Sequence, residues 1–528
     1  MDEIDRLYAA SRALRFQDMD LRVDGVAFEL KRYPFLIDLF DDDHRQIVVR
    51  KGSQMGFTVC FVLRTIDKCI TQYPRGVLYL MPTRDDVSDF SKSRFDRLLK
   101  ENEVLARSVA GTDSINIKRV GNAFVYFRGA RSRSQLKAIP VDGIVFDEED
   151  EMDPVMIELA RHRIDAAEGD AGDEASLSTP TVPDFGVDLK YQRSDQRMWH
   201  IKCQHCGAWT CMEEEFPKCL VRVSENTVVR GCKKCEKQIY VADGEWVAAF
   251  PENDERHGYF ISQLCSPTIS PRTILEEYED PDPPPTFDLK EFYNHRLALA
   301  YASLDDKLDD AAMNAVVGDY RRAHAAQGPC VLGADIGKQD VIYMVGEKVS
   351  ERHINVLDYG VLPGFGELHD KWQRFNVCCG VLDEMAETRK VREFISSHPG
   401  AWGCWYSDVQ RQAYDWKEKE ARVSVNRTEL LDHSHRTIIQ QNCTFPRKDE
   451  RWEAMVTQMK NIGRVQTRDD KTGTPKTRWV ILGGRKNDHI RHAFAYMCLA
   501  AEEAPISEKI RKIITPSRAS SERTWMAN

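Results

Sequence analysis

The 528 residues, 42% hydrophobic and 30% charged, exclude a fibrous or disordered chain; at about 150 residues per domain they predict roughly three or four domains. No apolar run reaches the ~20 residues of a membrane span, and the opening MDEIDRLYAASRALRFQ has no secretory core, so a cytoplasmic protein is expected. A net charge of −10, from 74 basic and 84 acidic residues, excludes a whole-molecule basic field, leaving nucleic-acid contact to local stretches such as 128–133, 230–237 and 485–491.

Residues 1–44 read as a polar, helical lead-in ending at Asp41-Asp42-Asp43. From Gln46 a short buried strand runs into KGSQMGFT (51–58) and then the apolar helix VCFVLRTIDKCI, the strand, glycine loop and helix that a phosphate-binding loop requires. Further strands are predicted at 77–81, in a hairpin of 114–118 with 123–127, and at 143–146, the last closing on Asp147-Glu148. Repeated βα units imply a mostly parallel sheet with ligands at the carboxyl ends of its strands. An α/β P-loop ATPase core is therefore expected over 45–200, a cysteine-pair insertion over 201–250, and the remainder of that domain with a linker over 251–325. That last stretch holds the stiff loop 280–285 and a helical stretch near 288–326. A second α/β domain covers 326–504, and a basic, Ser-rich tail covers 505–528.

The phosphate loop departs from GxxxxGK[ST]. Gly56 and Thr58 match, but Phe57 stands at the usual lysine position and Lys51 at the usual first glycine. A long, flexible lysine entering from the strand end can reach the same oxygens. Lys51 is thus the expected phosphate cation, with Arg50 the alternative; Thr58 is the expected Mg²⁺ ligand, and Gly52, Ser53 and Gly56 build the loop. At the later strand end Asp147 is placed to hold Mg²⁺ through water and Glu148 to orient the attacking water. Gln46 is a candidate adenine contact, and Arg131 and Arg133 are candidate transition-state arginines.

Of the 15 cysteines, Cys203-x-x-Cys206 and Cys232-x-x-Cys235 have the spacing of a closed, structural four-thiolate zinc site, with His205 not needed as a ligand. In the second α/β region Asp335 ends a strand, Asp383 ends a later one, and Asp488 opens the helix HIRHAFAYMCLAAEE on the same face as His492. An acid on a first strand, one on a later strand and one on a closing helix is the layout of an RNase H-like nuclease using two Mg²⁺ or Mn²⁺ ions. Glu384, Glu387 and Asp408 rival Asp383, and Asp340 is a candidate extra ligand.

KGSQMGFT, GIVFDEEDEM, LSTPT, the two CxxC pairs, Asp335-Ile-Gly, Leu382-Asp383 and NDHIRHAFAY together resemble the large terminase subunits of tailed bacteriophages, over roughly 46–500. The resemblance implies an ATPase that pumps double-stranded DNA into a procapsid and a nuclease that cuts concatemers. It further implies action in the host cytoplasm, a pentamer on a portal protein and a small terminase partner. It assigns coupling to Ser178-Thr179-Pro180. A helicase-like ATPase with an inert second domain and a zinc-ribbon scaffold without turnover are the competing readings.

Overall fold

The computed structural model describes residues 11–506 except 111–113, 132, 134, 137–138, 166–171, 281–287, 304–305, 338–339, 408–412, 469–474 and 484–486. The chain divides into two compact units between Ala302 and Ser303, not near 325. The reason is local pairing: Gly318 N–H donates to Phe445 O (2.7 Å), Phe445 N–H to Val316 O (2.7 Å), and Ala323 N–H to Leu357 O (2.9 Å). These bonds make the segment after 303 part of the second unit. The helical stretch expected over 288–326 is also broken, into short turns at Leu289–Glu291 and Phe292–Arg296 and a helix at Asp310–Ala315.

The first unit is built on an eleven-stranded sheet. Its central strands are β1 (Gln46–Lys51), β2 (Val77–Met81), β3 (Ala123–Gly129), β4 (Gly143–Asp147), β5 (Asp173–Ser178), β6 (Arg197–Lys202) and β7 (His257–Ile261). They lie side by side in the order β6-β7-β1-β5-β4-β2-β3, and every neighbouring pair is parallel. A parallel sheet is covered on both faces, so its strands read as continuous apolar runs. β1 shows the consequence: Ile47 and Val49 enter one core, whereas Val48 enters another with Val187, Tyr191 and Phe260. Helix α1 (Phe57–Thr71) follows β1 through a turn in which Gly56 adopts φ +83°, a left-handed conformation that glycine takes without strain.

The lead-in is less polar than its charges suggest. It contains a helix at Arg12–Asp18 and a two-residue hairpin, and its Phe16, Leu21, Phe35 and Phe40 are buried in the core of the first unit. Beyond β6 the chain passes the first cysteine pair into Trp209–Cys211, antiparallel to β6, leaves the sheet for the rest of the insertion and returns along Gly244–Ala248, also antiparallel to β6, before β7.

The second unit carries an eight-stranded sheet containing β8 (Cys330–Ile336), β9 (Val341–Lys348), β10 (Ile354–Leu362), β11 (Val377–Asp383), β12 (Ala401–Tyr406) and β13 (Arg422–Val425). β10, β9 and β8 form an antiparallel meander, and β11, β12 and β13 extend it in parallel from β8, giving the order β13-β12-β11-β8-β9-β10. Helix α2 (His489–Glu503) lies on β8 at backbone contact. A Cβ at Gly333 would stand 2.0 Å from Ala493 O, so only glycine allows that approach.

Candidate functional sites: a phosphate loop, a four-cysteine cluster and an acidic strand end

β1 and β4 both end at the carboxyl edge of the first sheet, with β5 between them. Lys51 closes β1, nearly fully buried, and its Nζ lies 2.7 Å from Glu148 Oε1 just past β4. The neighbouring Asp147 faces Thr58 Oγ1, the second residue of α1, at 3.4 Å and accepts from Tyr79 OH at 2.8 Å. Burial pushes Asp147 up to about 6, and the Glu148 charge adds to this; Lys51 opposes it. Glu148, although burial would raise it, is held below the usual carboxylate range by that same ammonium and by hydrogen bonds from Thr179 N–H and the Ser178 hydroxyl. Two adjacent acids therefore differ in proton affinity because one of them holds the lysine.

Phe57, at the position where a lysine is usual, is 1% exposed and stacks on Phe35 at 5.9 Å, so its ring belongs to the core. Arg50, the alternative cation, points to the other face of β1, where it pairs with Asp188 at 2.6 Å and lies 3.8 Å from the Phe260 ring centroid. Strand alternation separates the two cations, and Arg50 is removed from the phosphate side. Gln46 is also misplaced as an adenine contact. It opens β1 at the sheet's amino edge, five residues or about 16 Å of strand from Lys51, and its side chain accepts from Arg256 at 3.3 Å.

The loop is anchored by residues far along the chain. Gly52 N–H donates to Ile261 O (2.9 Å), Ser53 N–H to His295 O (3.0 Å), and Gln263 Nε2 to Ser53 O (2.8 Å), while Ser53 Oγ meets His295 Nδ1 at 2.6 Å. With Gly52 and Ser53 fixed, the remaining loop amides and the unpaired N–H groups of the first turn of α1 supply an anion cradle. Gln54 and Glu148 both hold positive φ, +58° and +59°, a backbone cost concentrated on the two sides of this cleft. Arg131 is half-buried and Arg133 exposed, in a stretch whose neighbours 132 and 134 lie outside the described residues.

Ser178 ends β5, and Thr179 and Pro180 lead on from it at the cleft. Ser178 Oγ lies 3.3 Å from Glu148 Oε2, and Thr179 N–H donates to the same oxygen at 3.3 Å. Asp150, fully buried, accepts from Val187 N–H (2.8 Å), Thr181 N–H (2.9 Å) and Thr181 Oγ1 (3.0 Å), so the acidic turn is bonded to residues 178–187 at both ends. Nothing in the sequence singles out Asp150 or Tyr79. The run of acids at 147–151 looks like a solvated turn, and a tyrosine in a buried strand like core.

In the insertion the four cysteine sulfurs lie within 4.8 Å of one another, with Cys203 Sγ to Cys235 Sγ at 3.7 Å and Cys206 Sγ to Cys232 Sγ at 3.6 Å. Thiolates bound at about 2.3 Å around a tetrahedral zinc stand about 3.8 Å apart, so the donor set fits that ion. Both knuckles fold alike: Cys203 N–H donates to Ala208 O and Gly207 N–H to Cys203 O, as Cys232 N–H does to Lys237 O and Glu236 N–H to Cys232 O, all at 2.9 Å. His205 is exposed and outside the cluster.

Asp335 and Asp383 follow the paired residues Ala334 and Leu382 at the carboxyl ends of the parallel strands β8 and β11. Burial raises the Asp383 carboxyl, and the Asp335 charge raises it further. α2 brings Asp488 to the same strand ends. Asp488 occupies the helix N-cap but its side chain makes no capping bond. Instead His492 Nε2 lies 3.2 Å from Asp488 Oδ2, His489 Nδ1 lies 2.6 Å from Asp335 Oδ2, and Tyr406 OH meets His492 Nδ1 at 2.8 Å. Despite burial, the His492 contact and charge lower Asp488. Among the described residues the three aspartates do not gather within the 4.8 Å of a single-ion cluster. Two ions about 3.5–4 Å apart need a wider ligand set than one ion does.

The rivals fall elsewhere. Glu384 is fully buried and held by Arg392 and by Arg422 at 2.9 Å. Glu387 precedes the helix Thr388–Ser397 with Lys390 at 3.9 Å, and Asp340 is exposed at the β8–β9 turn. Asp408 lies outside the described residues.

A parallel sheet with a loop lysine and paired acids at its carboxyl edge, and a second sheet of RNase H-like order with acids at its strand ends, define a P-loop fold followed by an RNase H-like one. Residues 25–250 match the family described as "Phage terminase large subunit gpA, ATPase domain". The large terminase of bacteriophage HK97 aligns with 94% of this chain and 100% of its own, at 9% identity and a TM-score of 0.53, which places the fold of both units among known folds. The large terminase of a thermophilic bacteriophage covers 88% of this chain and 96% of its own at 10% identity (TM-score 0.32). The nuclease domain of the Thermus phage P74-26 large terminase covers 37% and 94% at 12% identity (TM-score 0.25). No curated protein matches the chain. Residues 25–250 thus match the ATPase domain of phage terminase large subunits, and the likeness over the rest of the chain is one of fold.

Proposed function

We propose that this chain is the motor and the scissors of viral DNA packaging: its first unit hydrolyses ATP to move double-stranded DNA, and its second cuts it. The observation that carries the motor reading is the Lys51–Glu148 contact at 2.7 Å, in a cleft that also contains Thr58, Asp147 and the 178–181 segment. A nucleotide entering the loop gives Lys51 a polyphosphate in exchange for Glu148. Glu148 is then free to orient a water and accept its proton. Its second oxygen is tied to Ser178 and Thr179, so a shift of Glu148 pulls on residues that Asp150 links onward to Thr181 and Val187. This is how hydrolysis would reach the rest of the unit. Thr58 and Asp147 are the groups that would hold Mg²⁺.

In the second unit Asp335, Asp383 and Asp488 would hold two Mg²⁺ or Mn²⁺ ions. When bound, such ions supply Lewis-acid charge and an activated water for phosphodiester hydrolysis. The chain's own contribution is to fix the acids: His489 orients Asp335, and His492, itself held by Tyr406, orients Asp488. The four cysteines would hold a structural Zn²⁺. The resemblance to large terminase subunits extends the proposal to a pentamer on a portal protein, a small terminase partner and action in the host cytoplasm. Among the described residues no helix is long and apolar enough to cross a membrane. The test is circular plasmid incubated with Mg²⁺ or Mn²⁺ and ATP, cutting and ATP turnover being read in the same tubes. Glu148→Gln should abolish only turnover and Asp335→Ala only cutting; loss of both in either variant, or of neither, defeats the assignment.

A further inference from the structure

We infer that, given the ATP hydrolysis proposed above, Lys190 and Asp188 on the short helix Gly186–Gln192 are its positioning residues. From the face of the first sheet to which Arg50 turns, Lys190 sets the base Glu148 through Glu149, and Asp188 sets the phosphate lysine Lys51 through Arg50. Neither residue touches the cleft itself.

The helix packs Val187 and Tyr191 against Val48 and Phe260, and it carries two ion pairs, each to the immediate neighbour of one end of the Lys51–Glu148 contact. The Lys190 ammonium spends all three of its protons, on Glu149 Oε2 (2.6 Å), Glu174 Oε1 (2.9 Å) and Ser176 Oγ (2.6 Å). Glu174 and Ser176 belong to β5, and Arg161 clamps Glu174 at 2.8 and 3.0 Å. Lys190 is therefore fixed from the sheet, and it fixes the buried Glu149 in turn. Asp188 accepts from Arg50 at 2.6 Å with one oxygen, and from Asp184 N–H (2.9 Å) and Gln192 Nε2 (2.8 Å) with the other. The Arg50 guanidinium also lies 4.5 Å from the Tyr191 ring centroid, so the helix holds it twice.

The backbone of Glu148 shows why such support is needed. At φ +59° and ψ +53° it is left-handed, a conformation that a residue with a side chain keeps only where its surroundings over-determine it. The next two residues supply that restraint, and both end on the short helix: Glu149 on Lys190, and Asp150 on Val187 N–H at 2.8 Å. A Cβ at Gly186 would overlap the Asp150 carboxylate, so the close approach of helix to turn depends on that glycine. Stability alone does not account for the charges. Buried ion pairs lose hydration, and apolar residues of like volume would hold the helix as well. What apolar residues cannot do is aim a carboxylate.

The experiment measures ATP turnover of the full chain against ATP concentration, with Glu148→Gln as the reference for loss of the base. Lys190→Met, which keeps the apolar stem and removes the charge, should lower kcat roughly tenfold or more with KM near the wild-type value. Asp188→Asn should do the reverse, raising KM several-fold with kcat little changed. Glu149→Gln leaves Lys190 an acceptor and should repeat the kcat loss in smaller measure, which covers a Lys190→Met chain that does not fold. Wild-type kcat in the Lys190 and Glu149 variants, or kcat and KM displaced alike in all three as a general loosening would do, overturns the assignment. No turnover in the wild type, or full turnover in Glu148→Gln, instead defeats the hydrolysis reading and the positioning roles with it.

Discussion

The two acidic sites solve the same electrostatic problem in different ways. At the phosphate loop the chain supplies its own counter-charge: Lys51 sits on Glu148, lowering it while its neighbour Asp147 is driven up to about 6. At the strand ends of the second unit no lysine or arginine is drawn into hydrogen-bond range of Asp335 or Asp383 among the described contacts, and the histidines His489 and His492 orient the acids instead. On the proposed function, the first site exchanges one cation for a polyphosphate and carries that cation with it. On the same proposal the second works through exogenous ions and keeps its carboxylates for them.

The largest expected effect breaks the first half of this comparison. Glu148→Gln keeps the shape of the cleft but removes the base, and ATP turnover should fall by about 10²–10⁴-fold, with plasmid cutting unchanged. The mirror variant, Asp335→Ala, should remove metal-dependent cutting by a similar order and leave phosphate release at wild-type rate. A variant that silenced both sites would show that the units do not work as separate engines.

How far these sites can be read in the sequence follows from what each signal encodes. The meeting of Lys51 and Thr58 with Asp147-Glu148 is foreshadowed by a strand, loop and helix that follow one another locally and by a later apolar strand that ends on the two acids. The preference for Lys51 over Arg50 comes from its place in the loop, whereas the turning of Arg50 to the opposite face is not legible, because nothing local says which face of the strand holds the cleft. Gln263 and His295, which fix the loop backbone, lie more than 200 residues from it, and no periodicity marks such partners. Gln46 misleads because a residue next to a motif in sequence can lie a strand's length away in space. In the second unit Asp488 and His492 are legible as a helical i, i+4 pair, but His489 turns to Asp335 on another element. The boundary near 325 fails because strand patterning does not reveal an irregular segment paired to Phe445 and Leu357.

A smaller effect concerns the insertion. If the four thiolates hold zinc, a strong chelator or Cys232→Ser should melt the knuckles and lower the melting temperature, by about 2–4 °C for each kcal/mol lost. Turnover at low temperature should persist, because the cluster lies outside the nucleotide cleft. Equal melting curves with and without chelator would show that the sulfurs hold no ion.

The smallest effect sharpens the comparison most. Asp147 must be ionised to hold Mg²⁺, and burial has already pushed it up to about 6, so ATP turnover should decline as pH falls through that value. The sign is that of a raised carboxylate: protonation is favoured in the folded protein, so acid removes the Mg²⁺ ligand without removing stability. Tyr79 OH, 2.8 Å away, donates to the ionised form and restrains the shift. Tyr79→Phe withdraws that donor, and the acid limb of the turnover profile should move to higher pH by a few tenths of a unit to one unit, with turnover at pH 8 nearly unchanged. The cutting profile should not move at all, since Asp335, Asp383 and Asp488 belong to the other unit. A parallel displacement of both limbs would mean that proton uptake at one site is felt at the other.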